Sequence, residues 1–168
     1  MLYIFYNIQS YEDFMSLENL KNIWLKEKDI FRNKELGGLQ DFVKDMLQDN
    51  ELFNLKKGLE STPNQNRKYE FTIETSKEGR RPDYVIFIDG INIVIPVEVE
   101  RFENIENGIE QVFQYQKDWN KKFAILTDGN EWRFYRSNKY KSFYLNDIIS
   151  SPKDFLSYWN SYIKEENY

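Results

Sequence analysis

Two runs of apolar, largely β-branched residues, 84–88 and 91–99, flank Asp89-Gly90 and restrict the fold more than any other feature of the chain. Runs of this composition are typical of β-strands, and Asp-Gly between two of them is a strong hairpin signal. A turn of two residues would pair Ile88 with Ile91. The sequence therefore predicts two adjacent antiparallel strands in this part of the chain.

The rest of the chain alternates helical and strand patterns around this hairpin. Helical periodicity predicts helices over 10–28 and 36–47, a helix from Asn104 as N-cap to about 119, and a last helix from Ser151-Pro152. Further strands are predicted over 68–76, 123–127, 132–136 and 141–145, and a loop over 58–66. Together these elements predict an α/β fold in which helices flank a mixed β-sheet.

The length and composition of the chain fit one globular domain. A chain of 168 residues is long enough to bury a core, and no repeat, low-complexity tract or linker divides it. We therefore expect residues 1–168 to form a single domain. The first residues lack the basic start of a secretory signal, and no apolar run approaches transmembrane length, so we expect a cytoplasmic protein.

The chain contains no Cys and no His, which narrows the chemistry available to it. Catalysis by thiol or imidazole groups is excluded, and so are metal sites with those ligands, which leaves carboxylates, amines and hydroxyls. The net charge of −5 opposes strong sequence-independent binding of nucleic acid. Basic residues do gather at 67–68, 80–81, 121–122 and 133–141, although scattered surface charge explains them about as well.

Three acidic residues are placed so that the predicted hairpin would bring them together. Because side chains alternate faces along a strand, Glu98 and Glu100 share one face. Counting back from a two-residue turn places Asp83 opposite Pro96 on that same face, roughly 7–8 Å from Glu98. A three-residue turn would reverse this parity, and proline is unusual inside a central strand.

Three carboxylates directed at one point repel one another unless a cation lies between them. An all-oxygen ligand set suits Mg²⁺ or Mn²⁺, and such an ion polarises a phosphodiester and activates a water molecule. The opposing interpretation is that acids alternating with valine form only the solvated face of a strand. On spacing alone, that interpretation is the stronger of the two.

Several segments resemble, in order, the motifs of the PD-(D/E)XK nuclease superfamily. They are Arg81-Pro-Asp-Tyr-Val-Ile-Phe87, Pro96-Val-Glu-Val-Glu100, and Gln111-Val-Phe-Gln-Tyr115, which matches the Gln-x-x-x-Tyr helix of that superfamily. Further on, Phe123-Ala-Ile-Leu-Thr-Asp-Gly-Asn-Glu-Trp-Arg-Phe-Tyr135 is similar to the Thr-Asn-Gly-x-x-Trp hairpin of type I restriction enzyme motor subunits. The likeness runs from about residue 80 to residue 136 and points to the N-terminal nuclease domain of those subunits.

The resemblance implies a restriction-endonuclease-like fold that hydrolyses DNA with Mg²⁺ or Mn²⁺. It implies metal ligands in Asp83, Glu98 and the carbonyl of Val99, with Gln111 and Tyr115 facing the site or the DNA backbone from one helix. On spacing alone, Gln111 and Tyr115 could equally well belong to a side of the helix that packs on the sheet. The parent would be a restriction or other anti-phage defence enzyme, whose translocase, methylase and target-recognition parts lie in other domains or subunits.

The third motif position departs from the family, which usually has Lys where this chain has Glu100. A Lys there orients the attacking water and stabilises charge in the transition state, whereas Glu100 would bind metal or deprotonate water. The departure keeps a second function open, that of a catalytically inactive nuclease fold that binds DNA or docks subunits. An upstream helical acid often joins such sites, and Glu35 and Glu60 are the candidates.

Overall fold

The structure is a computed structural model that describes residues 16–33, 37–58, 69–73, 77 and 79–165. The elements in chain order are α1 Leu17–Asn33, α2 Gly37–Gln48, β1 Lys56–Lys57, β2 Glu70–Ile73, β3 Tyr84–Phe87, β4 Val94–Val99, a 3₁₀ helix Ile105–Gly108, α3 Ile109–Trp119, β5 Phe123–Thr127, β6 Glu131–Arg136, β7 Lys139–Tyr144, α4 Leu145–Ser150 and α5 Pro152–Glu165. The predicted order of helices and strands is confirmed. The short strand β1 and the helix α4 were not predicted, and most of the predicted loop over 58–66 lies outside the described residues.

The described strands form one mixed sheet of seven strands in the order β1 to β7. β1 and β2 are parallel, as are β4 and β5, and the other neighbouring pairs are antiparallel. The parallel pair β4 and β5 is joined through α3, because parallel neighbours need a crossover connection. This architecture confirms the expected α/β fold of the restriction-endonuclease type.

The two faces of the sheet are covered by different helices. On one face, a large core that includes Trp132 and Phe134 joins the strands to α1, α2, α4 and α5. On the other face, Tyr115 and Trp119 of α3 pack on β3 and β4, and Val112 packs on β5 and β6. All positions of β4 are consequently buried. Any acid on β4 must therefore lie beneath α3 or within the larger core.

The hairpin between β3 and β4 is antiparallel as predicted, but the prediction of a two-residue turn is wrong. Ile86 pairs with Ile95, and the Ile88 N–H donates to the carbonyl of Ile93 at 3.2 Å. The turn has four residues, closed by a 2.9 Å hydrogen bond from the Asn92 N–H to the Asp89 carbonyl. Ile91 looks like a strand residue by composition, yet it lies exposed in this turn. Because the register moves by an even number of residues, the predicted faces are retained.

Two further local predictions have different outcomes. Asn104 directly precedes the 3₁₀ helix and makes no side-chain capping hydrogen bond, so the prediction that it caps α3 is wrong. Pro96 does lie inside β4, one residue before the first β4–β5 pair at Val97. The missing N–H of proline therefore interrupts none of the registered pairs between these two strands.

A buried carboxylate site beneath α3

Asp83, Glu98 and Glu100 meet at the end of the β3–β4 pair. Tyr84 pairs with Val97, and one further step along the same register places Asp83 directly opposite Glu98. The predicted position of Asp83, diagonal to Glu98 and opposite Pro96, is therefore wrong by two residues, because the turn is longer. The charges of Asp83 and Glu100 both raise the pKa of Glu98, as expected for like charges held close together.

Glu98 is the most deeply buried member of this group, with 7% of its surface exposed. Burial raises the pKa of Glu98 to about 8, and the charge of Asp83 is the next largest cause. Its Oε2 atom is buried and has no hydrogen-bond partner among the described residues. The alternative that these acids form only a solvated strand face is thus wrong for Glu98. A carboxylate oxygen in this state suits a hard cation, which would also favour its ionised form.

Asp83 is held by groups from two different elements. Its Oδ1 accepts a hydrogen bond of 2.5 Å from Nε2 of Gln40 on α2, and its Oδ2 accepts one of 2.7 Å from the Val99 N–H. Gln40 is held in turn, because the Tyr84 hydroxyl donates to its carbonyl at 2.6 Å. The Val99 carbonyl, predicted as a ligand, remains a prediction, whereas its N–H is used by Asp83.

Gln40 was not predicted from the sequence. The sequence predicts that an acidic side chain from an upstream helix joins the site, and Gln40 is not acidic. The two predicted candidates, Glu35 and Glu60, lie outside the described residues. The only sequence signal for Gln40 is its place beside the buried Leu39 and near Phe42 on one amphipathic helix. That signal does not distinguish it from its polar neighbours.

Glu100 follows β4 and is half-buried. Burial is the main cause that raises the pKa of its carboxyl, the charge of Asp83 adds to it, and Arg101 opposes it. The close approach of the 3₁₀ helix depends on Gly108, where an added Cβ would lie 2.4 Å from Leu126 Cδ1 and 2.9 Å from Glu100 Cγ. A glycine at this position therefore makes room for the Glu100 side chain.

The two predicted residues of α3 separate into one inside the site and one on the surface. Tyr115 is 5% exposed, and its hydroxyl lies within hydrogen-bond reach of both Glu98 and the Arg81 carbonyl, the latter at 3.3 Å. Its single proton is donated to one of these acceptors at a time. Burial and the charge of Glu98 raise the pKa of Tyr115, so this phenol stays protonated. Gln111 lies one helical turn earlier and is exposed. The structure thus brings Tyr115, but not Gln111, to the carboxylates.

The turn that follows β5 supports the backbone of this site from the side. Asp128 is buried, and its carboxylate accepts hydrogen bonds from the N–H groups of Glu103, Asn130 and Glu131 at 2.8–3.0 Å. The Thr127 carbonyl accepts a hydrogen bond of 2.8 Å from the Glu100 N–H. The segment 123–135, which resembles the hairpin motif of type I restriction enzyme motor subunits, therefore positions the loop that carries Glu100.

Within the part of the chain that the structure describes, no group of three or more Asp, Glu, His or Cys side chains is arranged so as to hold a metal ion. The two oxygens of Asp83 are directed instead at Gln40 and at the Val99 N–H. The three acids are thus electrostatically coupled neighbours, and the buried Oε2 of Glu98 is the atom among them that fits an added ligand.

The mixed seven-stranded sheet with its flanking helices is of the restriction-endonuclease-like fold class. The chain matches the family model of the type I restriction enzyme R protein N terminus over residues 18–143. It belongs to that family, and this confirms the resemblance recognised in the sequence. Neither the curated proteins nor the solved structures contain a match to the chain. Among the described helices, none has the length and apolar character needed to cross a membrane.

Proposed function

We propose that this chain is a DNA endonuclease domain that depends on Mg²⁺ or Mn²⁺, within a restriction–modification or other anti-phage defence enzyme. The proposal depends on one observation at Glu98: its carboxyl is buried beside Asp83, and one of its oxygens has no partner among the described residues. Burying an acid in this state is costly, and proteins keep such groups mainly where function needs them. The family of R protein N-terminal domains supports the same interpretation.

Asp83, Glu98 and the Val99 carbonyl would hold the cation in this proposal. Their oxygen donors fit Mg²⁺ or Mn²⁺, and the bound ion would polarise the scissile phosphodiester and lower the pKa of a water molecule. Tyr115 would orient Glu98 by donating its single hydroxyl proton to the carboxylate, while packing against β3 and β4 holds the ring in place. The phenol thus acts as a positioning group and is not a proton carrier.

Glu100 would bind the ion or accept the proton of the attacking water. A general base works best when its pKa lies closer to neutrality than that of a free carboxylate, and burial shifts Glu100 in this direction. Its half-buried position, after the last residue of β4, leaves it nearer to solvent than Glu98. This arrangement supports different roles for the two glutamates.

DNA affinity in this proposal comes largely from other parts of the enzyme. Arg80 forms a two-point ion pair with Asp118 at 2.5 Å, and Arg133 is paired with Glu131 and Glu106. Internal pairing of this kind reduces the positive charge that can neutralise phosphates. Gln111, exposed on α3, can donate to the DNA backbone. The translocase, methylase and target-recognition parts would supply the remaining contacts.

A second function is a catalytically inactive nuclease fold that binds DNA or docks subunits. One observation favours this second function: Glu100 occupies the position where the family usually has Lys. A carboxylate in that position cannot stabilise the negative charge of the transition state as an ammonium group does. Glu100→Lys would restore the usual residue and relieve the repulsion between the acids.

A plasmid-cleavage assay with the assembled enzyme, in Mg²⁺ and in Mn²⁺, tests the proposal. We expect the wild type to cleave, and Asp83→Asn and Glu100→Ala each to reduce the rate on the order of 10²-fold or more. A silent wild type that gains activity through Glu100→Lys would instead establish the inactive fold. Unchanged cleavage in Asp83→Asn would contradict the proposed site altogether.

A further inference from the structure

Gln40 lies on α2, which packs on one face of the sheet, and it contacts Asp83, an acid of the site on the opposite face. The neighbouring residues of α2, such as Leu39 and Phe42, belong to the large core, whereas Tyr115 of the site packs on the opposite face. Gln40 nevertheless reaches Asp83 at the end of β3, where its amide lies 2.5 Å from Oδ1. The contact joins residues 43 positions apart in the sequence, so it depends on how α2 is docked.

We propose that Gln40 is a positioning residue that holds the Asp83 carboxylate in one orientation, with Oδ2 on the Val99 N–H. For its effect on cation binding, this inference rests on the proposed function, whereas the orientation itself does not. An ionised carboxylate has about four acceptor positions, so the bonds to Gln40 and Val99 do not by themselves exclude a cation. Fixing the carboxylate plane before binding lowers the entropy lost when the ligand set forms.

The chemistry of the amide suits this role better than that of a charged side chain. A carboxylate at position 40 would add a fourth acid to a group whose charges already repel one another. An ammonium group would neutralise Asp83 and compete with a cation. A neutral donor orients the carboxylate and leaves its charge available for the ion.

The backbone of Gln40 is anchored as firmly as its side chain. The hydroxyl of Tyr84, a residue with 3% of its surface exposed, donates to the Gln40 carbonyl at 2.6 Å. Tyr84 directly follows Asp83, so both hydrogen bonds connect α2 with the same end of β3. The side-chain bond can therefore be separated experimentally from the docking of the helix.

Hydrogen exchange at the Val99 amide tests the orientation in the absence of metal. Gln40→Met keeps the length of the side chain and removes its donor, so we expect Val99 to exchange about tenfold faster, with the amides of α2 unchanged. Gln116→Met is the matched control, because its amide donates to the Lys122 and Ser137 carbonyls and should leave Val99 unaffected. Gln40→Ala gives the same test if the Met variant does not fold.

Tyr84→Phe separates the amide from the docking of α2. This variant removes the hydroxyl bond to the Gln40 backbone and keeps the Gln40 side chain, so exchange at Val99 should rise less than in Gln40→Met. An equal rise in Tyr84→Phe, or no change at Val99 in Gln40→Met, would overturn the inference. Both results concern protein without metal and do not depend on the proposed nuclease activity.

Calorimetry with Mn²⁺ measures the consequence for the site. We expect Gln40→Met to bind Mn²⁺ about 10-fold more weakly than the wild type, as is common when a group that orients a ligand is removed. Equal or tighter binding by the variant would refute the role toward the cation. A wild type that binds no Mn²⁺ would refute the proposed metal site, and exchange at Val99 would then decide the orientation alone.

Discussion

Two buried acids of this domain, Asp128 and Glu98, lie in similar environments and have different partners. Burial raises the pKa of both carboxyls, and each is less than a tenth exposed. Asp128 accepts three backbone hydrogen bonds, whereas one oxygen of Glu98 has no partner among the described residues. A buried acid with several backbone donors stabilises a turn, whereas one that keeps an oxygen without a partner costs stability and can still bind a ligand. The comparison therefore separates a structural acid from a functional candidate.

The largest effect is expected when the satisfied acid is removed. Asp128→Ala would leave three part-buried backbone N–H groups without their acceptor and should destabilise the domain by about 4 kcal/mol. Urea unfolding of the metal-free protein measures this loss. A loss below about 1 kcal/mol would show that water replaces the carboxylate, and the contrast with Glu98 would then fail.

A smaller effect, and a gain in stability instead of a loss, is expected when the Glu98 carboxyl is replaced by an amide. This gain depends on pH. The Glu98 carboxyl has a pKa of about 8 in the folded protein and about 4.5 when unfolded, so between these values the folded state binds more protons. The contribution of Glu98 to stability is therefore largest below about pH 4.5 and is lost as the pH rises through 8, by about 2–3 kcal/mol after allowance for structural relaxation.

Urea unfolding of Glu98→Gln across this pH range is the corresponding measurement. The neutral amide should remove the decline and make the variant more stable than the wild type at pH 8 in the presence of a chelator. If the cation binds as proposed, Mg²⁺ should remove the same decline in the wild type. A wild type whose stability follows the same pH profile as Glu98→Gln would contradict the raised pKa of Glu98.

The smallest effect concerns the space around Glu100. In Gly108→Ala, the new Cβ would contact Leu126 and Glu100, so we expect a loss of about 1–2 kcal/mol and a displaced Glu100 side chain. Gly37→Ala is the matched control, because an added Cβ there meets nothing within 4 Å. Thermal unfolding of both variants decides between crowding at this site and a general effect of losing glycine.

The hairpin shows how far the sequence leads toward the candidate site. Asp89-Gly90 predicted the antiparallel pairing, which agrees with the structure. Alternation predicted that Glu98 and Glu100 share a face; Glu100 lies one residue past the end of β4, and its charge raises the pKa of Glu98. The length of the turn was wrong, because the composition of Ile91 does not distinguish a strand residue from an exposed turn residue. The predicted faces are nevertheless correct, because the register was wrong by two residues and side chains on a strand return to the same face every two residues.

The roles of individual side chains were less accessible from the sequence. Tyr115 and Gln111 belong to one motif, but only Tyr115 is buried against Glu98, because the rotation of α3 depends on how its apolar side packs on the sheet. Gln40 lies far from Asp83 in the sequence, and local periodicity contains no information on a contact over that separation.

The sequence by itself determined the α/β class, the order of the main elements, the family and the residue types available for chemistry, because each depends on local pattern or composition. Only the tertiary structure decided that Glu98 is buried with a raised pKa, that Asp83 lies opposite it and that Gln40 holds Asp83. Burial and hydrogen bonding depend on which distant elements close over a strand, and here α2 and α3 approach the β3–β4 pair from opposite faces of the sheet.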